Sequence, residues 1–164
     1  SWAIAEIGNS EIANRGANGI DGVTANAWGV ASAGIGATVA LLGDLAFLHD
    51  AGGLVAAAQD VTPLVLVVVD DGGGGIFSFL PIAAHGDNVS YDALFRTPQT
   101  TDLAALARGA GAHVAVVEDA QRLADAVVAG ATRPGVSVVL VQIDAAANLA
   151  QHRAITSAVA AALT

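Results

Sequence analysis

The chain has 164 residues, 54% of them hydrophobic and 13% charged, a size and composition that fit one α/β domain. Fifteen acidic residues against six lysines and arginines give a net charge of −9, which argues against a nucleic acid partner because phosphate backbones are repelled. The sequence contains no cysteine, which excludes disulfides and fits a cytoplasmic protein, and its apolar runs are too short for a transmembrane segment of about 20 residues.

The first predicted elements alternate between strand and helix. A short strand is predicted over residues 2–7 and a glycine- and asparagine-rich loop over 14–22, in which Asp21 is expected to cap the next helix. That helix is predicted over 23–33 and ends at two glycines. The strand over 38–42 is continuously apolar, which predicts that both of its faces are covered.

The remaining elements continue this alternation. Residues 82–100 are polar and are expected to form a long irregular loop of the kind that lines binding sites. The other predictions are helices over 45–59, 102–109, 119–129 and 145–163, strands over 64–69, 112–117 and 136–143, and a helical or turn segment over 76–80. This order predicts a single domain, residues 1–164, with a doubly wound, mainly parallel sheet and helices on both faces.

The high apolar fraction is open to two interpretations. Alanine-rich helices packed on a buried sheet account for it, and so does a surface that is partly a protein interface. The second interpretation predicts a homo-oligomer.

Acidic residues follow two successive strands of the predicted sheet. Asp44 comes directly after one strand, and Asp70-Asp71 with a run of four glycines comes directly after the next. In a parallel sheet these turns meet at the carboxyl edge, where open α/β sheets bind ligands. Carboxylates there repel a diphosphate, but Mg²⁺ reverses that sign and combines carboxylates with phosphate oxygens. Asp44, Asp71 and a main-chain carbonyl near Gly73 are therefore candidate ligands of Mg²⁺.

Two familiar phosphate-binding loops are not matched here. A P-loop needs a lysine after its glycines, whereas Ile76-Phe77 follows in this chain. The dinucleotide-binding motif opens a helix directly, whereas these glycines follow two acids. A plainer alternative is that Asp44 caps a helix, the glycines form a turn, and the chain is a non-catalytic α/β interaction domain.

Several short motifs of the sequence resemble those of a known family. Asp71 and a glycine follow Gly43-Asp44 at the 27-residue spacing that resembles the signature of thiamine-diphosphate-dependent decarboxylases and synthases. Within that superfamily the sequence motifs are similar to those of one family, the 2-succinyl-5-enolpyruvyl-6-hydroxy-3-cyclohexene-1-carboxylate (SEPHCHC) synthases of menaquinone biosynthesis. The matching phrases are Asn14-Arg15-Gly16-x-x-Gly19-Ile20-Asp21-Gly22, Gly43-Asp44-Leu45-x-Phe47-Leu48-His49-Asp50, Gly73-Gly74-x-Ile76-Phe77-Ser78-x-Leu80-Pro81 and Phe95-x-Thr97-Pro98.

This resemblance implies a C-terminal domain that binds thiamine diphosphate with Mg²⁺ or Mn²⁺. It implies that Asp44, Asp71 and the Gly73 carbonyl ligate the cation, and that Ile20 holds the cofactor in its bent conformation. The implied cofactor contacts are Ile20, Gly43, Asp44, Leu45, Asp71, Gly73, Gly74 and Ile76. The implied substrate contacts are Ser10, Asn14, Arg15, Ile76, Phe77 and Leu80.

Two of these implied roles have alternatives. Arg15 fits a clamp that binds a substrate carboxylate with both arms of its guanidinium, or it forms a surface salt bridge. The apolar residues Ile76, Phe77 and Leu80 wall a substrate pocket, or they belong to the ordinary core.

The resemblance also implies a transferase that decarboxylates 2-oxoglutarate and adds the resulting carbanion to isochorismate to give SEPHCHC. In this family the activating glutamate lies on a pyrimidine-binding domain, and the site forms between two subunits. The chain resembles only the C-terminal domain, and we expect the pyrimidine-binding and central domains to be absent from it. It therefore has no expected catalytic residue, and alone it should bind the cofactor weakly and should not turn over. An acetohydroxyacid synthase or a 2-oxoacid decarboxylase is the alternative among enzymes.

The sequence departs from the family pattern in two places near the site. Asp70, Asp71 and Gly72 stand where the family usually has asparagine, so Asp71 adds a negative charge and Gly72 lacks a side chain that can hydrogen-bond the diphosphate. Only three residues separate the phrase that ends at Ser10 from Asn14, where the family has a further helix and strand.

Overall fold

The computed structural model describes part of the chain, namely residues 12–13, 19–34 and 36–163, without the side chain of Asp87. The strand predicted over 2–7 and most of the loop predicted over 14–22 lie outside the described residues.

Four parallel strands form one sheet in the described part of the chain. They are β1 (Thr38–Gly43), β2 (Leu64–Asp70), β3 (His113–Val117) and β4 (Val136–Gln142), in the spatial order β1-β2-β4-β3. The helices are α1 (Val23–Ser32), α2 (Asp44–His49), α3 (Ala51–Ala57), α4 (Gly86–Val89), α5 (Leu103–Ala110), α6 (Ala120–Ala131) and α7 (Ala145–Ala162). The predicted parallel α/β fold is confirmed.

Helices cover both faces of the central strands. Leu64, Leu66 and Val68 of β2 are fully buried in a cluster with residues of α1, α2, α3 and α5. Val65 and Val67 point to the other face, where α6 packs against them. Alternate residues of one short apolar strand thus anchor two helical layers, as expected for a strand buried on both sides.

β1 is covered on one face only among the described residues. Its Leu42 is buried, whereas Val39 and Leu41, which point to the other face, are 48% and 73% exposed. Within the described part of the chain, the prediction that both faces of this strand are covered is therefore wrong. The physical reason is position, because β1 is the edge strand and α6 packs chiefly over the other three strands.

Asp50 interrupts the single helix predicted over 45–59. α2 ends at His49 and α3 begins at Ala51, with Asp50 between them at φ −108° and ψ 36°. The apolar pattern of this stretch is continuous, so the sequence did not reveal the break.

The carboxylate of Asp50 caps α1 instead of continuing its own helix. Its Oδ2 accepts a hydrogen bond of 2.8 Å from the main-chain N–H of Ala25 in the first turn of α1. Asp21 is expected from the sequence to supply this cap, but Gly22 occupies the N-cap position in the left-handed conformation and Asp21 makes no capping hydrogen bond there. The start of α1 is thereby tied to the junction of α2 and α3.

Short helical turns occupy much of the segment predicted as an irregular loop. In the loop predicted over 82–100, a 3₁₀ turn spans Pro81–His85 and α4 follows, whereas the 3₁₀ turn Gly75–Phe79 agrees with the helical or turn segment predicted over 76–80. A π-helical turn then spans Asp92–Arg96. These turns bring the segment back to the sheet edge where β1 and β2 end.

Gly130 allows α6 to approach the sheet closely. A Cβ at this position would lie 2.9 Å from the Ser137 Cβ and 3.0 Å from Val65 Cγ2. We expect Gly130→Ala to lower the free energy of unfolding by about 1–3 kcal/mol through overpacking. The matched control is Gly29→Ala on α1, where a Cβ meets nothing within 4 Å and helix propensity should add about 0.5–1 kcal/mol. Thermal unfolding of both variants measures these changes in stability. An equal increase in stability in both variants would contradict the overpacking expected at Gly130.

Of the helices described, none combines the length and the apolar character that crossing a membrane requires.

Candidate functional site

The two acidic turns lie side by side at the carboxyl edge of the sheet. β1 and β2 are parallel neighbours, with Gly43 in register with Val69. Asp44 therefore begins α2 level with the end of β2, where the chain continues through Asp70 into Asp71. This register agrees with the predicted convergence of the two turns.

Asp44 is buried at this edge, with only 2% of its surface exposed. Its Oδ1 accepts a hydrogen bond of 2.8 Å from the Leu45 N–H, and its Oδ2 accepts one of 3.3 Å from Gln99 Nε2. Burial raises the pKa of the Asp44 carboxyl, and the nearby carboxylates of Asp71 and Asp70 raise it further. Both of these donors are neutral and do not cancel the charge of Asp44 when it is ionised. A divalent cation at this edge would stabilise that charge.

Gln99 connects the two acidic turns. Besides its bond to Asp44, its Nε2 donates to Asp70 Oδ1 at 3.2 Å, and its Oε1 accepts from the Thr101 N–H at 2.8 Å. The sequence interpretation missed Gln99 because it lies 55 residues from Asp44. The available signal was its place directly after the phrase Phe95-x-Thr97-Pro98.

Arg96 was also missed, and it pairs with Asp71. Its Nη2 donates to the main-chain carbonyl of Asp71 at 2.5 Å, and its Nη1 lies 3.6 Å from Asp71 Oδ1. The two side chains are only 18% and 17% exposed. A guanidinium therefore lies at this acidic turn, where the sequence interpretation expected only carboxylates.

The glycine-rich turn is closely packed against the segment that carries Arg96. The Gly74 N–H donates to the Arg96 carbonyl at 2.6 Å, and the Gln99 N–H donates to the Gly72 carbonyl at 3.2 Å. Gly73 has φ 142°, and a Cβ there would lie 2.5 Å from the Arg96 carbonyl oxygen. Glycine at position 73 thus follows from both the backbone conformation and the lack of space.

These residues fit a divalent cation with a diphosphate. Asp71 Oδ1 is buried without a hydrogen-bond partner, and the buried Asp44 has only neutral donors. Among the described residues no three His, Cys, Asp or Glu side chains form a metal-binding group. Two carboxylates supplemented by a carbonyl such as that of Gly73 and by phosphate oxygens are the donor set that suits Mg²⁺.

The predicted apolar residues lie beside this turn, on the following 3₁₀ segments. Ile76 is 72% exposed and Leu80 is 48% exposed, so the alternative that they are ordinary core is wrong in the described part of the chain. Phe77 is half-buried and packs edge-to-face on Phe95, with ring centroids 5.7 Å apart. Ile20 is 42% exposed on the loop before α1.

Some of the predicted substrate residues are not among those that the structure describes. Ser10, Asn14 and Arg15 lie outside the described residues. Leu80 lines an open cavity of about 500 Å³ between the 3₁₀ turns and α7, where Arg153 provides a cation. Positive charge is therefore available next to the apolar wall, from a predicted helix that the sequence interpretation did not connect with the site.

Comparison with known families gives a match over most of the chain. The profile described as thiamine pyrophosphate enzyme, C-terminal TPP binding domain, matches residues 9–141. Relatives include the SEPHCHC synthase of Myxococcus xanthus, 43% identical over 93% of this chain and 26% of that protein. That of Kineococcus radiotolerans is 47% identical over 72% of this chain and 21% of that protein. The chain thus spans about a quarter of the length of the curated relatives it matches, and the predicted resemblance is confirmed.

Solved structures give the same result for the fold. The benzoylformate decarboxylase of Polynucleobacter necessarius superposes with a TM-score of 0.57 at 25% identity, over 65% of this chain and 19% of that chain. The thiamine diphosphate-dependent 4-hydroxybenzoylformate decarboxylase of Rhodococcus jostii RHA1 superposes with a TM-score of 0.54 at 22% identity, again over 65% of this chain and 19% of that chain. Both are decarboxylases by name, and the second, at 22% identity, supports the fold alone.

Proposed function

Because the chain belongs to the thiamine pyrophosphate enzyme family, as its C-terminal TPP-binding domain, we propose that its acidic edge binds the cofactor's diphosphate through a divalent cation. The observation that carries the proposal is the buried carboxylate of Asp44 beside the acidic turn of Asp71. Neighbouring acids disfavour the ionised form of Asp44, and a divalent cation would reverse that effect.

The proposed ligands are Asp44, Asp71 and the carbonyl of Gly73, with Mg²⁺ or Mn²⁺ as the cation. Asp71 Oδ1, which is buried without a hydrogen-bond partner, and the closely packed backbone of Gly73 support this choice. Hard oxygen ligands in this number leave positions for two phosphate oxygens and water. Gln99 would hold the Asp44 carboxylate in place, as outer-shell partners of metal ligands do.

The proposed cofactor contacts surround this edge. Bound thiamine diphosphate supplies the electron sink that the cleavage of a 2-oxo acid requires. We assign the contacts to Gly43, Leu45, Gly74 and Ile76 at the edge and to Ile20 on the loop before α1. The exposed fractions of Ile20 and Ile76, 42% and 72%, leave both side chains free to contact a ligand.

For the reaction we propose SEPHCHC synthesis from 2-oxoglutarate and isochorismate, as the names of the curated relatives suggest. Phe77 and Leu80 would wall the substrate pocket beside Ile76, and Ser10, Asn14 and Arg15 are proposed to bind substrate. Both substrates carry carboxylates, so a chain of net charge −9 needs local cations such as Arg15 to bind them.

The proposed partner is a pyrimidine-binding domain of a second subunit in a homo-oligomer. The chain covers about a quarter of its relatives' length, which leaves room in such proteins for further domains. The cysteine-free composition fits the cytoplasmic location that we propose for the enzyme.

Calorimetric titration of thiamine diphosphate into this chain tests the cation-dependent site. We expect binding heat in the presence of Mg²⁺ and none in EDTA, because three acids without a cation repel the diphosphate. A non-catalytic interaction domain would be indifferent to both. Equal heat in Mg²⁺ and EDTA contradicts the proposed metal bridge.

The same titration with the chain joined to a relative's pyrimidine-binding domain resolves a negative result. Absence of Mg²⁺-dependent binding there as well would remove the cofactor assignment. Product analysis with 2-oxoglutarate, with and without isochorismate, then separates SEPHCHC synthesis from the acetohydroxyacid synthase and 2-oxoacid decarboxylase alternatives.

A further inference from the structure

The pairing of Arg96 with Asp71 is unusual for a buried salt bridge. The Nη1 atom lies 3.6 Å from Asp71 Oδ1, which is outside hydrogen-bonding distance. Both of these atoms are buried and neither has a hydrogen-bond partner. The guanidinium is held chiefly by Nη2, which donates to the main-chain carbonyl of Asp71. Arg96 therefore places a positive charge near the Asp71 carboxylate without donating a hydrogen bond to Oδ1.

From this geometry we infer that Arg96 is a built-in substitute for the divalent cation, which must displace its guanidinium from Asp71 in order to bind. This inference rests on the proposed function, since it assumes a cation at Asp71. A guanidinium and a dication compete for the same carboxylate oxygen, because the two positive charges repel each other a few Å apart. Removal of the Arg96 charge should therefore strengthen cation binding.

The segment that carries Arg96 has the features of a movable element. We call residues 92–99 the strap. Thr97 has φ 39° and ψ 62°, a left-handed conformation that is strained for a β-branched residue. The Thr97 N–H donates to the Asp92 carbonyl at 2.7 Å, and the Gly74 N–H donates to the Arg96 carbonyl at 2.6 Å. A strained turn that is held by a few hydrogen bonds can change position when Arg96 no longer contacts Asp71.

The strap also joins the two acidic turns. Gln99, at its end, donates to both Asp44 and Asp70, while Arg96 contacts Asp71. Displacement of Arg96 would thus change the surroundings of each carboxylate at the edge. In the metal-free protein the strap is held by Arg96, and in the metal-bound protein the cation takes over the charge of Asp71.

Titration with Mn²⁺ alone, without cofactor, tests the exchange in Arg96→Gln. We expect this variant to bind Mn²⁺ roughly tenfold more tightly than the parent chain, because a neighbouring positive charge is removed. In EDTA the same variant should unfold at a lower temperature than the parent. The matched control is Arg122→Gln, which removes the same charge from an exposed pair with Asp119 and should leave Mn²⁺ affinity unchanged within about twofold.

A second measurement uses the parent chain and does not depend on a folded variant. Modification of Arg96 by phenylglyoxal, followed by mass spectrometry, should be faster in Mn²⁺ than in EDTA, because the cation expels the guanidinium. Slower modification in Mn²⁺ overturns the inference.

The outcomes separate this inference from the proposed function. If the parent binds Mn²⁺ and Arg96→Gln binds it equally or more weakly, Arg96 is merely structural and the proposed metal site stands. If neither protein binds Mn²⁺, the exchange is overturned, and the titration with the joined pyrimidine-binding domain decides the proposed metal site. If only Arg96→Gln binds, the exchange holds in its strongest form.

Discussion

Replacing Asp44 by asparagine is expected to weaken Mg²⁺-dependent binding of thiamine diphosphate by at least about a hundredfold, more than loss of an outer-shell partner costs. The amide keeps the shape of the side chain but cannot offer a charged oxygen to the cation. Asp44 is 2% exposed and fixed by Leu45 and Gln99, so no other acid can take its position without rearrangement. Calorimetric titration with Mg²⁺ measures the loss.

The same variant should not destabilise the metal-free protein at neutral pH. The pKa of Asp44 is raised above its ordinary value of 3.8, so the folded state holds this proton more tightly than the unfolded state. The free energy of unfolding of the parent therefore falls as the pH rises from 3.8 through the folded-state pKa of Asp44. Asp44→Asn has no carboxyl at this position, so its free energy of unfolding should not show this decrease. Thermal unfolding in EDTA across this pH range measures it.

A capping aspartate on another helix provides the control for Asp44. Asp119 caps α6 by accepting a hydrogen bond of 2.8 Å from the Arg122 N–H, and asparagine is an equally good cap. Asp119→Asn should therefore bind cofactor as the parent does. Retained binding by Asp44→Asn, or equal loss in both variants, would contradict the assignment of Asp44 as a metal ligand.

Gly73→Ala should produce the second large effect, on both stability and binding. A Cβ at Gly73 would lie 2.5 Å from the Arg96 carbonyl oxygen and 2.9 Å from the Thr97 carbonyl oxygen, on a backbone with φ 142°. Neither carbonyl is the end of a flexible side chain, so the turn or the strap must shift. We expect a loss of roughly 2–4 kcal/mol in the free energy of unfolding. Cofactor binding should fall with it, because the proposed carbonyl ligand moves.

Its neighbour Gly72 gives a matched comparison in the same turn. Gly72 has φ 75°, but the nearest atom to a Cβ there is Arg96 Nη2 at 3.9 Å. Asparagine tolerates the left-handed conformation and adds an amide that can hydrogen-bond the diphosphate, so Gly72→Asn should keep the fold and bind the cofactor at least as tightly as the parent. Denaturant unfolding and calorimetry of the two variants test this. If Gly72→Asn loses as much as Gly73→Ala, crowding at position 73 is not the cause.

The sequence was sufficient for features that depend on short-range patterns. The apolar run of β2 and the acids after β1 and β2 predicted the sheet and the edge at which Asp44 and Asp71 meet. Regular alternation of elements leaves few topologies, because parallel strands need crossover connections. The resemblance to SEPHCHC synthases likewise rested on contiguous phrases.

Features that depend on distant partners were not predictable in this way. Asp50 breaks a continuous helical pattern because its carboxylate caps α1, 25 residues away. Arg96 reaches Asp71 across another 25 residues, and Gln99 reaches Asp44 across 55. Such hydrogen bonds depend on how turns fold back in space, and no local preference of arginine or glutamine encodes them.

The uncovered face of β1 has a practical consequence for the chain in solution. Within the described residues β1 pairs with β2 alone, and in that part of the structure its outer edge offers unpaired backbone groups beside the exposed side chains of Val39 and Leu41. Open edges of this kind recruit strands from other molecules and seed aggregates. The net charge of −9 keeps copies apart, and salt screens that repulsion. Samples should therefore stay dispersed best at low ionic strength and at a pH well above the titration range of the carboxylates.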